Sequence, residues 1–119
     1  MASNTEKKKT YGKTGNCFEA AGRYMMDHGL EDKNLSLVHG EVEGQGPLDG
    51  IKYGHAWIEK GNEVIDVSNG RDIKMSKERY YQIGNIGNNL HRYNYKEFAG
   101  KITKYKHWGP WDLTTSSGL

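Results

Sequence analysis

Residues 53–68 have the sequence YGHAWIEKGNEVIDVS, which is typical of two β-strands joined by a short turn. The flanking runs, 53–60 and 63–68, are rich in β-branched and aromatic residues that favour strands. Gly61 and Asn62 between them suit a two-residue hairpin turn. We therefore predict an antiparallel hairpin, against which the rest of the chain must pack.

The two-residue turn also fixes which residues face each other across the hairpin. In that register Lys60 faces Glu63 and Trp57 faces Asp66. Because side chains alternate across a strand, His55 and Asp66 then lie on one face as diagonal neighbours. A shift of one residue would place them on opposite faces. The register thus predicts a contact between an imidazole and a carboxylate.

A helix is predicted upstream of the hairpin, with its first residue at Cys17. Asn16 can cap the free amides, and Glu19, three residues later, completes the pattern of a capping box. Small or apolar side chains at 17, 20, 21, 24 and 25 follow one helix face, and Gly29 is a suitable end. The helix N-terminus stabilises negative charge and so lowers the pKa of a thiol placed there. Cys17 therefore occupies a position that favours reactivity.

The remaining segments complete an α+β pattern. We expect a strand at 35–42, an open Gly-rich loop at 44–50, a short helix at 75–83, a strand at 89–95 and a last helix at 96–105. The predicted fold is α+β, with the N-terminal helix that carries the cysteine packed on a small antiparallel β-sheet.

One domain is expected, because 119 residues are enough for one modest core but not for two. It should span 15–113, between a flexible polar tail at 1–14 and a frayed C-terminus at 114–119. The 17 basic and 15 acidic residues give a formal charge of only +2, which does not favour nucleic acid as a partner. No apolar stretch approaches a membrane span and no secretory signal is recognisable, so we expect a cytoplasmic protein without membrane partners.

The single cysteine limits the chemistry that the chain can perform. It excludes an intramolecular disulfide and a thiolate-rich zinc site. No pair of histidines has a spacing suited to a metal, and the acidic residues form no calcium-loop pattern, so neither a metal nor another cofactor is expected. Cys17 is therefore either an inert buried thiol or a nucleophile.

A nucleophilic role needs a base, and the predicted hairpin supplies one. His55 could take the proton of Cys17 and later return it to a leaving group, while Asp66 would orient the imidazole and stabilise its cation. Backbone amides at the helix start would contribute to an oxyanion hole.

These residues, in this order, resemble the transglutaminase-like superfamily within the papain-like cysteine enzymes. A cysteine opens a helix, the segment His-Ala-Trp-Ile-Glu follows at 55–59, and Val-Ile-Asp follows a turn at 64–66. The resemblance covers residues 15–69, and the His-Ala-Trp triplet is its most specific element. The small size and Lys-rich start also resemble proteins encoded by phages, which would place the chain in the host cytoplasm.

The resemblance implies that Cys17 is the nucleophile, His55 the base and Asp66 the orienting acid. Papain-like enzymes often carry an oxyanion-hole Gln a few residues before the cysteine, and this chain has Tyr11 there. A phenol can also donate a hydrogen bond. The residues expected to support the three catalytic ones are Tyr11, Asn16 and Trp57.

The sequence favours a cysteine-dependent hydrolase or acyl transferase of the peptidase or amidase type. Its substrate would be a peptide, a protein or a small amide or thioester, attacked through a thioacyl intermediate on Cys17. The alternatives are a binding module of the same fold that sequesters a small molecule or blocks a partner protein, and a peptidoglycan endopeptidase. His39 is either structural or a second base, and His107 is expected to serve in packing or capping.

Overall fold

The structure is a computed structural model that describes residues 16–115. The elements in chain order are α1 (Cys17–His28), β1 (Leu35–Glu43), β2 (Lys52–Lys60), β3 (Glu63–Asp66), β4 (Ile73–Ser76), α2 (Lys77–Ile83), β5 (Leu90–Tyr93) and α3 (Tyr95–Tyr105). Two short 3-10 turns, Gly46–Leu48 and Ser68–Gly70, lie between strands. The predicted tails, 1–14 and most of 114–119, fall outside the described residues.

The five strands form one antiparallel sheet in the order β4-β3-β2-β1-β5. Helices α1 and α3 pack on one face, and α2 packs on the other. The expected α+β fold, with an N-terminal helix on an antiparallel sheet, is therefore confirmed. No helix within residues 16–115 is both long enough and apolar enough to cross a membrane.

The predicted hairpin is present with the predicted register. Lys60 pairs with Glu63 and Ile58 with Ile65, while Gly61 in the turn has φ 58°. The second strand is shorter than the sequence suggests, because β3 ends at Asp66 rather than at Ser68. The Ser68 amide donates to Oδ1 of Asp66 at 2.9 Å, and this local bond turns the chain into the 3-10 turn.

The face that carries α1 and α3 holds most of the apolar core. Its fully buried side chains come from both helices and the three central strands, and they include Ala20, Met25, Leu37, Ile58 and Phe98. The sequence pattern predicted this side of α1, since Ala20, Ala21 and Met25 are buried. Burial of these side chains fixes α1, and hence its first residue, against the sheet.

The opposite face has a smaller core around Trp57, which is fully buried. Its ring crosses β1 at Gly40, where an added Cβ would lie 2.5 Å from Cη2 of the indole. Tyr80 and Tyr81 of α2 cover this core from outside, with ring centroids 5.3 and 6.1 Å from that of Trp57. Any side chain at position 40 would displace the indole.

A buried carboxylate fastens α2 to this face. Glu59 accepts hydrogen bonds from Trp57 Nε1 at 3.0 Å, from Arg92 Nε at 2.9 Å and from the Tyr81 hydroxyl, and it pairs with Lys77 at 3.5 Å. Burial alone would raise the pKa of Glu59, but the bonds from Arg92, Tyr81 and Trp57 lower it. The ionised carboxylate therefore has partners from β2, β5 and α2.

The segment expected to form one short helix at 75–83 is divided in two. Residues Ile73–Ser76 pair with β3 as strand β4, and the helix begins only at Lys77. Ser76 caps it, because its hydroxyl accepts from the Arg79 amide at 3.2 Å. The pairing with β3 overrides the local helix preference at Met75.

Candidate active site

Cys17 is the first residue of α1, as predicted, and it is a partly exposed free thiol. Oδ1 of Asn16 accepts from the Glu19 amide at 3.2 Å, so the predicted cap is formed. The Glu19 carboxylate accepts from the Asn16 side-chain amide at 2.8 Å and from Arg23 at 2.7 Å. These bonds fix where the helix begins and thereby hold the thiol at the positive end of the helix dipole.

His55 and Asp66 are in contact, as the hairpin register predicted. Nε2 of His55 lies 3.1 Å from Oδ2 of Asp66, and their side chains are 13% and 6% exposed. The pair lies on the face of the sheet that α2 covers. A hydrogen bond through Nε2 leaves Nδ1 as the ring nitrogen that can meet a thiol.

The Asp66 carboxylate is held by two further residues. Oδ1 accepts from the amide and the hydroxyl of Ser68 at 2.9 and 2.6 Å, and Oδ2 accepts from the Tyr80 hydroxyl at 2.6 Å. Burial opposes ionisation, but the hydrogen bond and charge of His55, with the bonds from Ser68 and Tyr80, hold the pKa of Asp66 well below its usual range. Asp66 is therefore a fixed anion.

Cys17 also lies near this imidazole, close enough to shift its pKa. Burial would lower the pKa of His55, but hydrogen bonds with Asp66 and Cys17, together with their negative charges, raise it to about 9. The imidazolium form of His55 is thus stabilised between a carboxylate and the sulfur. The three predicted catalytic residues are brought together.

The short length of β3 explains how this contact is possible. Helix α1 packs on the face of the sheet opposite to His55, but β3 pairs with β2 only between Ile58 and Lys60. On the side of β2 that faces β3, the residues before Ile58, including His55, pair with no strand of the described residues. Helix α1 contacts both β2 and the Ser68–Gly70 turn, and its first residue, Cys17, lies near the imidazole.

Two of the three predicted supporting residues, Asn16 and Trp57, lie within the described part of the chain. Tyr11 lies outside the described residues. Asn16 acts as the helix cap, and its side-chain amide is directed to Glu19 rather than to a substrate. Trp57 supports His55 by stacking, with ring centroids 6.2 Å apart and planes at 28°, while its indole N–H donates to Glu59.

Backbone amides remain as oxyanion donors at the start of α1. The cap occupies the Glu19 amide, and the Ala20 amide donates to the Asn16 carbonyl at 3.1 Å. The first amides of a helix have no partner within the helix, so those of Cys17 and Phe18, beside the sulfur, have no acceptor within α1. They can stabilise an oxyanion that forms on a carbonyl attacked by Cys17.

Ser68 and Tyr80 were missed by sequence reasoning. The spacing Asp66-Val67-Ser68 at a strand end is typical of an Asx turn and could have identified Ser68. Nothing local identifies Tyr80, because it lies 14 residues after Asp66, on helix α2 that follows β4. Burial and the bond to Asp66 raise the pKa of Tyr80, so its hydroxyl stays a proton donor.

A half-open cleft of about 190 Å³ lies beside His55 on the α2 face of the sheet. His55, Asp66, Ser68 and Tyr80 line it together with aliphatic side chains and with four further polar or charged ones, Glu43, Gln45, Asn69 and Arg71. Cys17 is not among the described residues that line this cleft. A larger cavity of about 300 Å³, between the end of α1 and the start of α3, contains none of the candidate site residues.

His39 is a core residue and not a second base. It is fully buried beside Phe18, Tyr93 and Trp111, with ring centroids 4.9, 5.2 and 4.8 Å away. Neither ring nitrogen has a hydrogen-bond partner among the described residues. Burial lowers the pKa of His39 to about 3, so the ring is neutral.

His107 lies in the turn after α3, where it makes local hydrogen bonds but does not cap the helix, whose C-cap is Lys106. Its Nδ1 accepts from the Gly109 amide at 3.0 Å in the turn after α3. Within residues 16–115, no group of three or more His, Cys, Asp or Glu side chains is arranged to hold a metal ion.

Comparisons with family models, with curated proteins and with solved structures found no match to this chain. The resemblance to transglutaminase-like enzymes therefore stays a prediction. The chemistry of the site has to be judged from Cys17, His55 and Asp66 themselves.

Proposed function

We propose that the protein is a cysteine-dependent hydrolase or acyl transferase with a transglutaminase-like fold. The observation that carries the proposal is the position of His55, which lies 3.1 Å from the Asp66 anion and close enough to Cys17, at a helix start, for that residue to raise its pKa. A thiol that serves only as a buried core side chain needs neither an imidazole nor a carboxylate beside it. Nucleophilic catalysis needs both.

The first half of the reaction would acylate Cys17. The thiolate attacks the carbonyl carbon of an amide or thioester, and the carbonyl electrons move to an oxyanion bonded by the amides of Cys17 and Phe18. As the oxyanion collapses, the bond to the leaving group breaks and the imidazolium of His55 gives that group a proton. The products are a thioacyl Cys17, a neutral His55 and a free amine or thiol.

The second half would release the acyl group. Neutral His55 takes a proton from water or from an acceptor amine, which attacks the thioester carbon. Collapse of the second oxyanion expels the Cys17 thiolate and regenerates the thiolate and imidazolium pair. Asp66 stays ionised throughout and keeps Nδ1 of His55 directed to the reacting atoms.

Substrates are proposed to be peptides, proteins or small amides or thioesters, in the cytoplasm of the cell that makes the protein. Hydrolysis is preferred over cross-linking, because a chain of 119 residues offers little surface with which to shape a second channel for an amine. The proposal includes no metal and no nucleic acid.

The decisive experiment is to trap the acyl intermediate on the full chain. The protein is mixed with the S-ethyl thioester of N-acetylglycine and quenched in acid for intact-mass measurement. We expect an N-acetylglycyl adduct, and because the chain has a single cysteine the adduct is assigned directly. Cys17→Ala should give none, and His55→Gln should slow formation about 100-fold or more.

Two controls separate catalysis from ordinary thiol chemistry. The native chain unfolded in urea presents the same cysteine without its neighbours and sets the background rate. His91→Gln removes a partly exposed histidine of β5 and should react like the native chain. Acylation of the folded protein no faster than that of the unfolded chain would overturn the proposal.

A second candidate function is a binding module that keeps the fold without turnover. The cleft of about 190 Å³ favours it, because this cleft exists whether or not Cys17 reacts. Binding without catalysis predicts that ligand retention is unaffected by Cys17→Ala. Native mass spectrometry of both chains measures this directly.

A further inference from the structure

The cleft beside His55 has no role in the acylation and deacylation steps proposed for Cys17. We propose that it binds an apolar group on the leaving-group side of the scissile bond, an inference that rests on the proposed function. The position of the cleft, the chemistry of its walls and its size support this assignment.

The position of the cleft assigns it to the leaving group. His55 and Tyr53 form part of its lining, whereas Cys17 does not. In the proposed reaction the acyl group stays on the sulfur, and the departing atom takes its proton from His55. A substituent on that atom can enter the cleft beside Tyr53, which lines it and lies near both Cys17 and Asp66.

The walls of the cleft select an apolar substituent. Five aliphatic side chains from β1, β4, α2 and the segment after α2 contribute to them, and these are Val42, Ile73, Met75, Ile83 and Ile86. The lining also includes two carboxylates, Glu43 and Asp66, and two cations, Arg71 and the His55 imidazolium, so it has no excess of either charge. A neutral group therefore suits the cleft better than an ion.

The polar atoms at the inner end of the cleft are already bonded to one another. Ser68 and Tyr80 donate to Asp66, and Asp66 accepts from His55. At the rim, Glu43 accepts from the Asn85 side chain at 2.9 Å. A polar substituent would have to displace these bonds, whereas an apolar one leaves them intact.

The size of the cleft sets the size of the group. A volume of about 190 Å³ exceeds the roughly 150 Å³ of an apolar cavity that holds benzene, so a substituent of about six carbon atoms fits. This corresponds to a leucine or phenylalanine side chain, or to a hexyl chain.

Alkyl thioesters of N-acetylglycine test the proposal without changing the acyl group. Ethanethiol, butanethiol and hexanethiol are similar as leaving groups, so differences in kcat/KM report contacts made by the alkyl chain. We expect kcat/KM to rise about tenfold or more from ethyl to hexyl. The reciprocal series, S-ethyl thioesters with acetyl and hexanoyl groups, should show no comparable rise.

Ile83→Ala tests whether the preference for a hexyl chain arises in the cleft, which Ile83 lines. The Ile83 side chain is 45% exposed, so its truncation should not disturb the core. The hexyl-to-ethyl ratio should fall at least threefold. Met75→Ala, on β4, should reduce the ratio in the same direction. Leu30→Ala is the matched control, because Leu30 is 66% exposed and lines the distant cavity. It should leave the ratio at the native value.

The outcomes separate this inference from the proposed function. Equal kcat/KM for the three alkyl thioesters, or a preference that follows the acyl chain instead, would overturn the assignment of the cleft while leaving Cys17 as a nucleophile. Failure of every thioester to acylate Cys17 would overturn the proposed function, and this inference with it.

Discussion

Replacing Asp66 by Asn removes the carboxylate that holds His55 in its charged form. The substitution keeps the size of the side chain and one of the two acceptor oxygens, enough for either Ser68 or Tyr80, but it removes the negative charge at 3.1 Å from Nε2. Burial of His55, which opposes protonation, is unchanged. We therefore expect the pKa of His55 to fall from about 9 to near or below its ordinary value of 6.5.

The size of the effect follows from the same two values. The difference between 6.5 and about 9 corresponds to roughly 3 kcal/mol by which the fold favours protonated His55. Asp66 and Cys17 share this contribution. Because the pKa is raised by folding, the contribution is complete below pH 6.5 and is lost as the pH rises through 9.

Two measurements check the prediction. The chain has five histidines, and the Cε1 proton signal of His55 is identified by its loss in His55→Gln. An NMR titration then gives the pKa of His55 in the native chain and in Asp66→Asn. Urea unfolding of the native chain should give a lower free energy of unfolding at pH 9 than at pH 6.5. In Asp66→Asn this difference should be smaller or of opposite sign.

Asp112→Asn is the matched control for this prediction. Asp112 also accepts from a tyrosine hydroxyl, that of Tyr93 at 2.6 Å, but it does not contact His55. It should leave the titration of His55 unchanged. A native His55 that titrates near 6.5, or one whose pKa is the same in Asp66→Asn, would refute the arrangement described for the site.

Three further predictions concern residues around the site and in the core. Tyr80→Phe removes one donor to Asp66 and should lower the free energy of unfolding by about 1 to 2 kcal/mol in urea titrations; an unchanged value would show that this bond contributes nothing. His39 is neutral in the fold but protonates below pH 6.5 once unfolded, so between pH 6.5 and 5 the native chain should lose about 2 kcal/mol of stability that His39→Leu retains. Equal slopes with pH in the two chains would contradict this. Asn16→Ala removes the cap of α1 and should cost about 1 kcal/mol, while Asn88→Ala, a loop substitution, should cost less than half of that; equal losses would mean that the cap is not what stabilises the helix start.

The hairpin and the start of α1 could be predicted from the sequence because both depend on residues close in the chain. Gly61-Asn62 and the alternation of side chains set the register, and Asn16 with Glu19 set the first turn of the helix. The contact between His55 and Asp66 follows from that register alone. Local chemistry therefore predicted the polar pair of the site.

The remaining features depend on packing between distant segments. Tyr80 donates to Asp66 only because α2 is fastened over the sheet by Glu59, whose partners Arg92 and Tyr81 lie 33 and 22 residues away. Strand β4 forms where the sequence suggested helix, because β3 offers an edge for it to pair with. No pattern within a short window contains this information.

The most direct test of the central claim is the rate at which iodoacetamide alkylates Cys17 in the native chain and in His55→Ala. If the His55 imidazolium stabilises the thiolate, the native rate at pH 5.5 should exceed that of His55→Ala at least tenfold, and also that of the urea-unfolded chain. His91→Ala should react like the native chain. Equal rates in the native chain and His55→Ala across pH 4 to 9 would mean that Cys17 is an ordinary thiol and that the three residues do not form a catalytic centre.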